Sequence, residues 1–279
     1  MPEASAEVST AAAPGASDAD ENRPDLSERL RRAGIADISD PLRAWQALRE
    51  AEGRRTTLID LYALAAAPAG LAAHQLPLPE RRALTLAAMP IYWPGFSMTQ
   101  TAARPREPIE ISDYDPEWAR RYESWSERIA GALGTNAARI DHVGSTSVPG
   151  LAAKPVVDIQ VSVAELEAEQ RYVAQLEELS LSLASRDHLH RYFRPPADQR
   201  REVHVHVCAV GSQWQREHLL FRDYLRAQPA ARHAYARVKR EAAIIWRDDR
   251  WGYTEAKTGI ILDLLEQAER WAAGISWSP

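Results

Sequence analysis

The chain has 279 residues and a mass of 31.2 kDa, the length of two ordinary domains rather than one minimal one. Hydrophobic residues at 45% and charged residues at 26% are enough for a buried core, while a net charge of −5 and a pI near 5.9 argue against holding nucleic acid by phosphate neutralisation. One cysteine, Cys208, leaves no internal disulfide and no multi-cysteine zinc site. The apolar runs are broken by charge or proline short of a membrane span, and Met1–Pro24 lacks the basic start and leucine-rich core of a secretory signal. The expectation is a cytoplasmic protein with no membrane association.

Residues 1–24 are mostly Ala, Ser, Asp, Glu, Gly and Pro and offer little to bury, so they read as a disordered tail. Residues 25–96 read as a small helical domain of unassigned role. Asp25 caps a helix carrying Leu26 and Leu30, with Gly34 placed to end it. Asp40-Pro41 opens a second helix with Leu42, Trp45 and Leu48 on one face. Thr56 or Thr57 opens a third through Leu58, Leu61, Tyr62 and Ala65, and Pro79 a fourth through Leu84 and Ala88. The aromatic, turn-rich run Ile91–Phe96 reads as a plug packing onto the neighbouring domain. These helices are the expected contact for a protein partner or a second copy.

Residues 97–108 read as a linker, and residues 109–279 as a second domain. Ile109–Ile111 is an expected strand. Asp115-Pro116 caps a helix whose Trp118, Tyr122, Trp125, Ile129 and Leu133 recur at helical spacing, a core stripe. Strands follow at Arg139–Val143 and Val156–Val163, then a helix over Ala164–Leu179 with Leu166, Val173, Leu176 and Leu179 inward. His190–Arg194 and Val203–Val207 read as a strand pair joined by a polar loop. Three helices close the chain, at about Gln213–Arg226, Ala230–Asp248 and Thr254–Trp271. The sum is an α+β domain with a mixed β-sheet and flanking helices, preceded by an all-helical N-terminal unit.

The chemistry concentrates in His142–Val161. A strand runs into Gly144-Ser145, passes through Thr146, Ser147 and Pro149-Gly150, and after Lys154 a second strand carries Asp158. Glycine allows close backbone approach to an anion, the hydroxyls of Ser145, Thr146 and Ser147 can hydrogen-bond phosphate, and Lys154 adds a point charge. Asp158 is suitably placed to hold a metal bridging those phosphates. A bare Gly-Ser turn between strands is the bland alternative, and the carboxylate on the next strand weighs against it. The strand Glu202–Val207 puts Glu202, His204 and His206 on one face and its valines on the other. With Asp158 these form a candidate metal set, and imidazole with carboxylate suits zinc, manganese or iron better than magnesium. His204 and His206 equally suit a proton acceptor. His188 and His190 continue into Tyr192 and Arg194, and Arg194 or Arg191 is a candidate phosphate contact. Tyr253 and Lys257 lie four apart near the start of the last helix, a further candidate anion site. Arg222 and Asp223 read as a surface ion pair, and Cys208 as an inert core thiol.

The run His142–Val161 resembles the GrpB-like family, whose fold is that of the nucleotidyltransferase superfamily. The resemblance continues through Glu202–Val207, His218–Arg226 and Tyr253–Lys257 and spans about residues 108–272. It implies a nucleotidyltransferase-like enzyme that moves a nucleotidyl group from a nucleoside triphosphate to a small hydroxyl- or amine-bearing acceptor, or carries out a related phosphate or acyl-activation step. The implied cofactor is a divalent metal, Mg²⁺ or Mn²⁺, with Zn²⁺ as the alternative. Gly144-Ser145 and Asp158 match the superfamily's Gly-Ser and first acidic residue. The second acidic position, two residues on, is Gln160, a neutral and poor metal ligand. That departure keeps open a non-catalytic module that retains the fold and binds a nucleotide or other small ligand.

Overall fold

The computed structural model describes residues 25–93, 95, 97–98 and 108–279. The expected tail and most of the expected linker lie outside the described residues. Four helices come first: α1 (Leu26–Arg32), α2 (Pro41–Glu52), α3 (Leu58–Ala66) and α4 (Leu78–Tyr92). Each begins where its residues direct. The Asp40 carboxylate accepts from the backbone N–H groups of Leu42 and Arg43 at 3.0 and 3.1 Å, with Pro41 at the first helical position, where no N–H is needed. Asp60 reaches back to accept from Thr57 N at 2.7 Å. Buried Arg29 bridges Glu52 and Asp60 at 2.5 and 2.6 Å and ties α1, α2 and α3 together.

The core of this unit continues into the rest of the chain. Trp45, Leu48, Leu58, Leu61 and Tyr62 share one cluster with Ala242, Ala243, Trp246 and Tyr253. The N-terminal helices thus bury their apolar faces on the C-terminal ones.

Next come β1 (Ser97–Met98), α5 (Glu117–Leu133), β2 (Arg139–Val143), β3 (Val157–Val163), α6 (Val173–Glu178), β4 (Ser182–Arg186), β5 (His190–Arg194) and β6 (Val203–Ala209). The chain closes with α7 (Gln213–Ala227), α8 (Pro229–Ile245), α9 (Arg250–Glu255) and α10 (Thr258–Ile275). The six strands form one mixed sheet in the order β1-β4-β5-β6-β3-β2. Only the β3–β6 pair is parallel; the other neighbours run antiparallel.

The period of two sorts the sheet into an oily face and a polar face. Val157, Ile159, Val161, Val203, Val205 and Val207 pack under Trp118, Trp125, Ile129 and Leu176 of α5 and α6. Asp158, Gln160, Ser162, His204, His206 and Cys208 face the other way. α7 covers part of that side, with Gln215 donating to the Ser162 hydroxyl at 2.8 Å. Cys208 is fully buried there, its thiol pushed up to about 11 by burial, so it is an inert thiol as expected.

Three expectations are corrected, and one strand carried no expectation. Ile109–Ile111 is not a strand: Ile109 is buried with its N–H donating to Arg247 O, and the sheet-like contact is a single bridge, Ser112 to Ala153. The helix expected over Ala164–Leu179 shrinks to α6, because the Tyr172 hydroxyl donates to Leu166 O and Glu167 and Glu169 reach Arg191 instead of following a helical surface. The expected last two helices become three, because Asp249 caps the N–H groups of Trp251 and Gly252 and restarts the chain as α9. β4 had no clear sequence signal; its Ser and Arg residues pair with β5 at a bulge near Ser185.

Candidate functional site

The register of the parallel pair builds the site. Asp158 on β3 lies opposite His204 on β6, and Gln160 lies opposite His206. Side chains of partnered residues stand on the same face, so the carboxylate and both imidazoles meet. His204 Nδ1 is 3.0 Å from Asp158 Oδ1, and His206 Nε2 is 3.8 Å from the same oxygen. One ligand atom from each residue falls within 4.8 Å of the others, the only such group of three or more potential metal-binding side chains among the described residues. All three side chains keep some solvent access, at 16%, 20% and 30% for His204, His206 and Asp158. A buried, fully paired core triad would not.

Gly144 makes room for this carboxylate. It sits at φ +69°, in the region that disfavours L side chains, where β2 leaves the sheet. A Cβ there would sit 2.9 Å from Asp158 Cβ and closer still to its Oδ2. The strand must bend through a glycine for Asp158 to face the histidines at all.

The electrostatics follow from burial. Burial pushes the His204 imidazole down to about 4 against the pull of Asp158, so it is neutral at pH 7. Burial alone would raise the Asp158 carboxyl, but the hydrogen bonds from His204 and His206 outweigh it and hold the carboxyl ionised. A carboxylate with two imidazoles is a donor set that fits Mn²⁺ or Zn²⁺, with Mg²⁺ less favoured by the nitrogens. His204 Nε2 and His206 Nδ1 are buried without hydrogen-bond partners, the state of ring nitrogens that have no structural duty.

Lysines supply the positive charge. Lys154 and Lys257 lie on the same aromatic ring, their Nζ atoms 4.7 and 4.3 Å from the centroid of buried Tyr253. Burial, with the charges of Lys257 and Arg250, lowers Lys154 to about 7; burial likewise lowers Lys257 to about 8 despite Asp158 and Glu255. Buried Lys239 donates from Nζ to Ala152 O and adds to the same field, and is itself held well below its ordinary value by burial and by Lys257 and Lys154. Three lysines crowded into a dry region are each pushed toward the neutral amine, a state that a bound anion would reverse. Arg194 stands on the polar face of β5 beside Tyr192, with its Nε buried and unpartnered.

Several expected contacts fall elsewhere. Thr146 and Ser147 are buried and spent on the turn: the Thr146 hydroxyl bonds His142 Nε2 at 3.0 Å, and the Ser147 hydroxyl donates to Gly144 O at 2.6 Å. Of the three hydroxyl residues only Ser145 is not committed to the turn, and its side chain hydrogen-bonds Tyr235. Glu202 is not in the metal-binding group, since β6 begins at Val203 and the Glu202 backbone carbonyl accepts from Val157 N where the strands start to pair. Tyr253 carries the two lysines from behind. Arg191 lies on the opposite face, paired with Glu167 and Glu169 at 2.7 and 2.5 Å. Arg222 pairs with Asp223 at 2.7 Å, but half-buried rather than on the surface, and also donates to His142 O at 3.2 Å.

The sequence reading missed a wall of rings beside the histidines. His190 stacks on His206 at 5.6 Å and on Trp214 at 5.1 Å; Trp214 stacks on His218 at 3.6 Å, and Tyr192 on His206 at 5.1 Å. Trp214 comes from α7, and no local pattern points it at the sheet. Gln160 is fully buried, with neither amide atom hydrogen-bonded. No helix of the described residues is long and apolar enough to cross a membrane.

Comparison with known proteins places this domain. The GrpB protein family model matches residues 108–267. A UPF0157 protein of Streptomyces coelicolor is 43% identical over 160 residues, 57% of this chain and 84% of that protein. A dephospho-CoA kinase of Mycolicibacterium paratuberculosis is 33% identical over 200 residues, 62% of this chain but 49% of that protein. The crystal structure of conserved protein GrpB from Enterococcus faecalis aligns with a TM-score of 0.53 and 29% identity, covering 58% of this chain and 99% of that one.

Proposed function

The chain belongs to the GrpB family, and from that premise we propose that it is a metal-dependent, nucleotidyltransferase-like enzyme acting on a nucleoside triphosphate and a small hydroxyl- or amine-bearing acceptor. The observation that carries this reading is the meeting of Asp158, His204 and His206 in one donor group beside Lys154 and Lys257. A donor group suited to a divalent cation, coupled electrostatically to lysines suited to a phosphate, is the combination phosphoryl chemistry needs. The relatives named dephospho-CoA kinase support nucleotide chemistry in the neighbourhood of this domain, which matches about half of their length. This chain has no Gly-x-x-x-x-Gly-Lys-Ser/Thr run, so kinase activity of that type is not part of the proposal.

Each residue has a role. Asp158, His204 and His206 would hold Mn²⁺ or Zn²⁺, or Mg²⁺ less tightly, and the ion would supply Lewis acidity at the phosphate. Ser145, Lys154, Lys257 and Arg194 bind the phosphate oxygens. Gly144 keeps the approach open. The acceptor oxygen or nitrogen forms a bond to the α-phosphorus, the bond from that phosphorus to the bridging oxygen breaks, and pyrophosphate leaves. With both imidazoles used as metal ligands, the acceptor's proton leaves to solvent water.

Titrating ATP, CTP, GTP and UTP with Mn²⁺ or Mg²⁺ by calorimetry, on the native chain and on Asp158→Ala, tests the reading. Metal-dependent binding that Asp158→Ala removes supports it; no binding, or binding indifferent to the substitution, overturns it. A second reading is a module that binds a nucleotide without turnover, and Gln160 favours it: the position of the second acidic residue carries a neutral, buried amide. Saturable binding with no pyrophosphate release across a broad acceptor set would select that reading.

A further inference from the structure

The short helix α9 carries Tyr253, the ring on which Lys154 and Lys257 rest. Both ends of α9 are held by the N-terminal helices. At its start, Asp249, whose carboxylate caps the helix, is ion-paired with Arg81 of α4 at 3.0 Å, both side chains buried. The same guanidinium lies 5.2 Å from the Trp246 ring. At its end, buried Glu255 accepts from the Tyr92 hydroxyl of α4 at 2.6 Å and from the Leu58 N–H of α3 at 3.2 Å. Tyr92 in turn is stacked on Trp45 and lies 4.3 Å under the Arg49 guanidinium, so its hydroxyl cannot swing away freely.

The N-terminal unit also touches the histidine wall. Trp93, the residue after α4, stacks on His190 at 6.4 Å, and His190 stacks on His206. Two separate contacts therefore run from one unit to the two halves of the site, the lysine platform and the imidazole wall. The family match begins at residue 108, so this unit lies outside the part shared with GrpB proteins.

We propose that the N-terminal helices are a positioning clamp: through Arg81–Asp249 and Tyr92–Glu255 they fix α9, and with it the ring that sets where Lys154 and Lys257 present their charge. The inference rests on the anion-binding role assigned above to those lysines. Tyr92 and Glu255 are positioning residues that act through Tyr253. Surface ion pairs on the same interface, such as Arg55 with Asp263 and Glu266 of α10, hold the units together without reaching α9 and serve as the control.

The experiment compares Tyr92→Phe and Arg55→Ala in the full chain, with inorganic tripolyphosphate and Mn²⁺ as the probe. Tyr92→Phe is expected to weaken tripolyphosphate binding on the order of fivefold and to displace its pH profile, and Arg55→Ala to leave both unchanged. Amide hydrogen exchange gives a second readout independent of ligand: the α9 amides should exchange faster in Tyr92→Phe and not in Arg55→Ala. Equal affinity in Tyr92→Phe and the native chain, or equal weakening by Arg55→Ala, overturns the clamp. Should the native chain bind no tripolyphosphate at any pH, the anion-site reading fails, and unchanged α9 exchange in Tyr92→Phe then overturns the clamp separately.

Discussion

Gly144→Ala separates backbone strain from the steric need of the site. Gly144 and Gly211 both have positive φ, at +69° and +73°, but a Cβ on Gly211 meets nothing within 4 Å whereas one on Gly144 lands on Asp158. An alanine in that conformation costs about 1–2 kcal/mol through its own backbone. Gly211→Ala should therefore lose about that much. Gly144→Ala, at a ψ of −171° outside the αL well, should lose at least that strain plus an overpacking cost of roughly 1–3 kcal/mol, because Asp158 must shift. Moving Asp158 breaks its 3.0 Å contact with His204, so Mn²⁺ affinity should fall with stability at Gly144 and hold at Gly211. Urea unfolding with a Mn²⁺ titration on both variants checks the pair. Equal unfolding midpoints, together with unchanged Mn²⁺ binding by Gly144→Ala, would refute the idea that this glycine exists to seat the carboxylate.

Other substitutions probe the same structure. Glu202→Gln should leave Mn²⁺ affinity unchanged while His206→Ala lowers it at least tenfold in equilibrium dialysis, since only the histidine belongs to the donor group. Lys154 is held near 7 when folded against 10.5 when free, so between those values the unfolded chain binds more protons and stability rises with pH. Replacing it as Lys154→Met should flatten that rise between pH 7 and pH 9 by about 1 kcal/mol or more, raise Tm at pH 7 and weaken tripolyphosphate binding; an unchanged pH slope would show that the lysine is not buried as described. Trp45→Ala, which removes a fully buried indole and its 2.8 Å hydrogen bond to Thr57 O, should cost roughly 3–5 kcal/mol in urea unfolding.

Local chemistry alone specified a good part of this protein. Asp40-Pro41 starts a helix because the side-chain oxygen and the missing N–H suit the first turn in any setting. The Trp118–Leu133 stripe and the valine alternation of β3 and β6 record which face must leave water, and alternation also placed Asp158 and both histidines on their polar sides. A period of two, however, says nothing of which strand lies beside which. Residue 158 meets residue 204 only because β6 pairs parallel with β3 in that register, a long-range choice made by packing the whole sheet. The same choice excludes Glu202, although its alternation is identical to that of the histidines, because pairing of the strands begins one residue later. Ser147 and Thr146 looked free in the sequence because a hydroxyl's partner across a tight turn is decided by backbone geometry. Lys239, Trp214 and the grip of Tyr92 on Glu255 involve partners 87, 24 and 163 residues away, the middle one being His190. Charge shifts such as that of Lys154 arise from burial by several elements at once, and burial is a property of the packed chain, absent from any short stretch of it.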